Sequence, residues 1–193
     1  PECGYVSSAN NRTVGEDYPY YIGTWFSAPS RIDRIREMLE AQPRHGMEDF
    51  KRMLRDLTSS MAGTYTPRYI DALRGHTEGI YQDVFRILES WDYSMDAESS
   101  AALIYEWIWI ELRKAVYLDE LGDDIDLLLG GGSLVRNHLE KIRITGQSNW
   151  CDDIRTQGKV ESFEDNIRVA FQHAVDTLVS MFGGDPESWK WGG

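Results

Sequence analysis

From residue 29 onward, apolar side chains recur at intervals of three and four, the spacing that lines one face of an α-helix. Ile32, Ile35 and Leu39 share such a face behind Pro29-Ser30, with Ser30 placed to cap the first turn and Asp33 three residues later as the acid of a capping box. Met47, Phe50, Met53, Leu54 and Leu57 form a second stripe. Thr66-Pro67 reads as the start of a third helix, a cap residue followed by proline at the first helical position, with Gly75 as its stop. Ile80, Val84, Ile87, Leu88 and Trp91 mark a fourth. The segment Trp91-Asp92-Tyr93-Ser94-Met95-Asp96 breaks the period and predicts a tight turn, because Asp and Ser side chains compete there for backbone donors.

Ala97 to Leu121 is apolar on nearly every face, as expected of a central, surrounded helix. Gly122 to Gly132 is a glycine-containing acidic connection with room for one short helix, and Ser133 to about Ile142 carries a modest helical pattern. Gly146 to Val160 shows no period and reads as a loop. Ser162-Phe163-Glu164-Asp165 then opens the clearest helix, which Gly183-Gly184-Asp185-Pro186 stops. Only the first residues, Tyr5 to Ala9 above all, look extended. The pattern predicts an all-α, multi-helix domain with a short extended N-terminal segment.

The 193 residues can bury a sizeable core. A net charge of −12 repels phosphate backbones and anionic lipid, so neither a nucleic acid nor a membrane surface is expected as a partner. No run approaches the ~20 apolar residues that span a bilayer, and the best candidate, Ala101 to Ile110, carries Glu106. A soluble chain without a signal peptide is expected. Cys3 and Cys151 are read as unpaired thiols, a single disulfide being the other option.

Most polar clusters carry ordinary structural readings. His45, His76, His138 and His173 lack the spacing of a helical metal site. Asp119, Glu120, Asp123, Asp124 and Asp126 lack the glycine and terminal Glu of an EF-hand and read as a solvated acidic loop. Gly130-Gly131-Gly132 has no following Lys-Ser/Thr and is no phosphate loop. No cofactor or metal is expected.

One stretch stands apart. Gly4-Tyr5-Val6-Ser7-Ser8-Ala9-Asn10-Asn11-Arg12, followed by Glu16-Asp17-Tyr18-Pro19 and Pro29-Ser30-Arg31, resembles the nucleophile-bearing chain of the penicillin acylases (penicillin amidases), N-terminal-nucleophile hydrolases. Trp91-Asp92 with Met95-Asp96, Ser99 and Ala101-Ala102 is similar to the tryptophan-aspartate turn of that family. Ser180-Met181-Phe182-Gly183, Asp185-Pro186 and Trp189-Lys190-Trp191-Gly192 resemble the segment where the family leaves its last helix for the core sheet.

The resemblance implies a fragment of an αββα hydrolase that matures from a precursor and cleaves linear amides of penicillins or other N-acyl compounds through an acyl-enzyme. It divides the chain into a core-derived segment (1–28), a helical domain (29–183) and a tail leading back to the parent core (184–193). It gives Asn10 the role of oxyanion-hole donor and Arg31 that of an active-site support. Its implied partners are the remaining segments of the parent, meaning the α chain and the rest of the β chain, and a small N-acyl substrate. A periplasmic or secreted parent is implied as well.

Calcium-binding relatives take a ligand from a few residues after Asp-Tyr-Pro. Here Tyr20-Tyr21-Ile22-Gly23 offers no acid, so calcium is not supported by this segment. Pro1 has neither hydroxyl nor thiol, so the 193-residue chain is expected to be inactive alone. The competing reading is a non-enzymatic all-helical interaction module that uses exposed Trp and Tyr side chains as anchors.

Overall fold

A computed structural model describes residues 3–15, 17–130 and 132–193. Pro1, Glu16 of the Glu16-Asp17-Tyr18-Pro19 stretch and the middle residue of Gly130-Gly131-Gly132 therefore lie outside the described residues. The helices are α1 (Ser30–Glu40), α2 (Met47–Met53), α3 (Ser60–Leu73), α4 (Ile80–Glu89), α5 (Ser100–Leu121), α6 (Ile125–Leu129), α7 (Ser133–Thr145) and α8 (Phe163–Phe182). Among the described residues there is no strand, only an isolated bridge between Thr58 and Ser94. The fold is all-α, as the periodicity predicts, and residues 5–9 are irregular rather than helical. No described helix is long and apolar enough to cross a membrane.

α5 is the axis. Ile104, Ile108, Leu112 and Val116 are fully buried along it, and its main neighbour is α8, whose Phe163, Ile167, Ala170, Ala174 and Leu178 are equally buried. α3 and α4 close the other side through Tyr69, Leu73, Val84 and Leu88. The Ser162–Asp165 capping box forms in full: Ser162 Oγ accepts from Asp165 N at 3.1 Å, and Asp165 Oδ2 accepts from Ser162 N at 3.0 Å. In the turn after α4, Asp92 Oδ1 accepts from Ser94 N at 3.0 Å and Trp91 Nε1 donates to Ser94 O at 3.1 Å. Trp189, in the tail, returns to the core, fully buried, with its Nε1 donating to Gly183 O at 3.0 Å.

Three sequence expectations need correction. Thr66-Pro67 does not open a helix: α3 starts at Ser60, about two turns earlier, because Ser59 Oγ takes the Ala62 N–H at 3.1 Å, and Pro67 sits inside the helix. Gly63, in its first turn, lets the Tyr93 ring approach to 3.4 Å of where a Cβ would stand. Ser30 is not a cap; α1 begins at Ser30 itself, its N-cap is Pro29, and no side chain caps its first turn. The stripe Met47, Phe50, Leu54 and Leu57 forms helix α2 and the loop after it but not a core: Met47 is 73% and Leu54 88% exposed.

Candidate functional site

The site is built where the irregular N-terminal segment meets the start of α1. Asn10 adopts φ 61°, a left-handed conformation that Asn tolerates better than most residues. Its neighbours hold it there. Ser27 N donates to Asn10 O at 2.8 Å, tying the segment into a loop. Asn11 is buried, and its Oδ1 accepts from Ala9 N at 3.0 Å while its Nδ2 donates to Arg12 O at 2.7 Å. The chain on both sides of Asn10 is thus pinned by hydrogen bonds that leave the Asn10 side chain exposed.

Arg31 is the second residue of α1, where a cation is disfavoured by the helix dipole. Three oxygens offset this. Its Nη2 donates to Ala9 O at 2.9 Å, to Asn10 Oδ1 at 2.8 Å and, more weakly, to Ser27 Oγ at 3.5 Å. A guanidinium can only donate, so the oxygen of the Asn10 amide must face it. The Asn10 Nδ2 group is then turned the other way, with no partner of its own among the described residues. The two residues singled out from the sequence are in direct contact, and their contact fixes the direction of a free N–H donor.

Beside Arg31 lie two adjoining cavities of about 500 and 390 Å³ that share Ser30, Ser60, Met61, Trp109 and Arg136 as walls. Arg34 forms a two-pronged ion pair there with Asp56, at 2.8 Å and 2.6 Å. That pairing holds the Asp56 carboxyl below the ordinary carboxylate range. Glu106, half-buried in the second cavity, is shifted the other way by loss of hydration, against the pull of Arg136 and Arg113. Burial with the Glu140 carboxylate nearby raises Tyr65. Sequence reasoning treated Arg136 and Trp109 as generic helix and Glu106 as an interruption of an apolar run. The available signal was Glu106 itself, the one charged residue in the apolar run Ala101 to Ile110.

The other polar groups stay dispersed. Among the described residues no group of three or more His, Cys, Asp or Glu side chains could hold a metal ion. His173 reaches only Glu111, at 3.9 Å. Asp119 Oδ2 accepts from Ile154 N at 2.8 Å, and Glu120 is pushed up to about 7 by lost hydration and by Asp119 next to it. Tyr117 and His138 share a hydrogen bond of 2.7 Å under Trp150. Cys3 and Cys151 are both free thiols, the first exposed and the second buried.

Comparison with known proteins gives the family. The penicillin amidase family matches the chain over residues 1–193. The chain belongs to the penicillin amidase family. An acyl-homoserine lactone acylase QuiP of Pseudomonas syringae pv. tomato is 26% identical over 212 residues, covering 100% of this chain and 25% of that protein. The QuiP of Pseudomonas aeruginosa is 24% identical over 215 residues with the same coverage. A penicillin acylase 2 proenzyme of a Pseudomonas species is 34% identical over 105 residues, 54% of this chain and 13% of that protein. The chain spans about a quarter of the length of the QuiP relatives. Membership in the penicillin amidase family thus rests on the whole chain and not on the Asn10 motif alone.

Proposed function

We propose that these residues form the helical part, with one active-site edge, of an amidase that hydrolyses linear amides through an acyl-enzyme. Asn10 is its side-chain oxyanion donor and Arg31 the positioning residue that aims it. The observation that carries this reading is the 2.8 Å contact from Arg31 Nη2 to Asn10 Oδ1, which leaves Asn10 Nδ2 as a directed, unengaged donor. Attack on the substrate carbonyl converts it to a tetrahedral centre whose oxygen gains a full negative charge. A fixed N–H aimed at that oxygen stabilises the transition state more than the ground state, by about 3 kcal/mol in comparable sites. Collapse breaks the C–N bond, the amine departs with a proton, and water later cleaves the acyl-enzyme ester. The positive charge of Arg31 behind the amide polarises its N–H groups further.

The attacking group belongs to another part of the parent, as does the second oxyanion donor. Residues 1–28 would then pack against the parent core. The strong exposure of Tyr20, Tyr21 and Trp25, at 73%, 81% and 81%, fits a surface completed by adjoining polypeptide. The substrates are small N-acyl compounds, the class named for the acylases that this chain resembles. Hydrolysis of a chromogenic phenylacetyl anilide tests the division of labour. The full-length parent should turn over and the purified 193-residue chain should not; turnover by the isolated chain would reject the fragment reading.

A further inference from the structure

Asn10 carries its amide on a left-handed backbone at φ 61°, a minority conformation for any residue with a Cβ. The aim of its donor therefore depends on what keeps this turn from relaxing. Each peptide group around the turn has one partner. Just before Asn10, Ala9 O accepts from Arg31 Nη2 at 2.9 Å; just after it, Asn10 O accepts from Ser27 N at 2.8 Å. One peptide further back, Ala9 N donates to Asn11 Oδ1 at 3.0 Å, a bond that reaches across Asn10.

This third bond differs from the other two. Ser27 contributes only its backbone, and Arg31 Nη2 also holds Asn10 Oδ1. The Asn11 side chain serves the turn alone. Asn11 is 7% exposed, although Asn10 and Arg12 on either side of it are exposed. Both ends of its carboxamide are engaged. Nδ2 donates to Arg12 O at 2.7 Å, which fixes the orientation of the group and leaves Oδ1 facing Ala9 N. Such a pairing needs a short side chain with a donor and an acceptor in one plane. Aspartate keeps the acceptor only, and alanine keeps neither.

We infer that Asn11 is a positioning residue for the amidase reaction: its carboxamide staples Ala9 to Arg12 across Asn10 and holds the left-handed turn from which Asn10 Nδ2 meets the developing oxyanion. The inference rests on the amidase reading and adds to it a residue that acts through Asn10. Without the staple the Asn10 backbone can relax toward negative φ, which swings its amide away from Arg31. An oxyanion donor acts in the transition state, so the loss falls on the acylation rate and not on substrate affinity.

Single-turnover acylation of the full-length parent, with enzyme in excess over a phenylacetyl anilide, tests the inference, because at saturation that rate does not depend on the fraction of enzyme that has matured. Asn11→Ala should slow the step about tenfold with half-saturation within about twofold of normal, and in the Asn10→Ala background it should cost less than about twofold more. Asn11→Asp, which keeps the acceptor for Ala9 N, should stay within about threefold of the unaltered enzyme, and it decides the matter by itself if the alanine variant does not mature. An Asn11→Ala enzyme that acylates normally, losses that multiply with those of Asn10→Ala, or an aspartate variant as slow as Asn10→Ala would overturn the inference. A normal rate in Asn10→Ala would reject the oxyanion reading itself, whereas a slow Asn10→Ala beside a normal Asn11→Ala removes only the role of Asn11.

Discussion

Replacing Arg31 by Met in the full-length parent isolates what the guanidinium does for Asn10. Arg31 Nη2 serves three oxygens between 2.8 and 3.5 Å, and two of them, Ala9 O and Asn10 Oδ1, lie within 3 Å. Hydrogen bonds from a charged donor are worth about 1.5–3 kcal/mol each. Without that bond the amide can rotate or present its oxygen to the oxyanion. The loss is bounded by the full worth of one oxyanion donor, about 3 kcal/mol. Arg31→Met should therefore slow acylation by about 10- to 100-fold, read as the burst or single-turnover rate with an activated phenylacetyl ester, with a smaller change in KM.

The double variant sharpens this. If Arg31 acts through Asn10, then once Asn10→Ala has removed the donor, Arg31→Met should cost little more, and the two losses should be far from additive. Losses that multiply in the double variant would show that Arg31 acts on its own, and an unchanged acylation rate in Arg31→Met would refute the positioning argument.

Other consequences concern stability and thiol chemistry. Asp56 accepts from Arg34 in a partly buried pair, so Asp56→Asn should lower stability by about 1.5–3 kcal/mol in urea denaturation at neutral pH. The folded carboxyl titrates below its ordinary 3.8, so the pair's contribution is present above that value and lost as pH falls through the depressed one. The gap between wild type and Asp56→Asn should close on acidification, and a gap that widens would contradict the pairing. Ser162→Ala removes the hydroxyl half of the α8 capping box and should cost about 1 kcal/mol, whereas Phe163→Ala, beside it in the core, should cost about 3–5 kcal/mol. Burial pushes the Cys151 thiol up to about 11 while Cys3 is exposed, so a disulfide reagent at mildly alkaline pH should titrate one thiol quickly in the native chain and two after denaturation.

The helical architecture was legible wherever apolar period and end signals agreed. α8 has both a three-four stripe and a Ser-x-x-Asp start, and the buried α5 is apolar on almost every face. The failures have local causes. α3 starts with Ser60-Met61-Ala62-Gly63-Thr64, a weakly apolar turn, while Thr66-Pro67 mimics an N-terminus; the Ser59 cap and the packing of Tyr65 and Tyr69 decide the matter through tertiary contacts. The α2 stripe shows the limit of periodicity, which reports an apolar face but not what covers it. Arg34's tie to Asp56 joins residues far apart in sequence, and no spacing rule reveals it. Asn10 and Arg31 were found through the resemblance of residues 4–31 to a family. Their 2.8 Å contact and the free Nδ2 group that follows from it come from the fold.

The central claim, that this chain contributes its Asn10 amide to the oxyanion hole of an amidase, is tested most directly by the acylation rate of the Asn10→Ala variant of the full-length parent. That rate should fall by roughly 10²-fold or more while maturation and thermal stability stay near those of the unaltered enzyme. An Asn10→Ala enzyme that acylates at close to the normal rate would contradict the account.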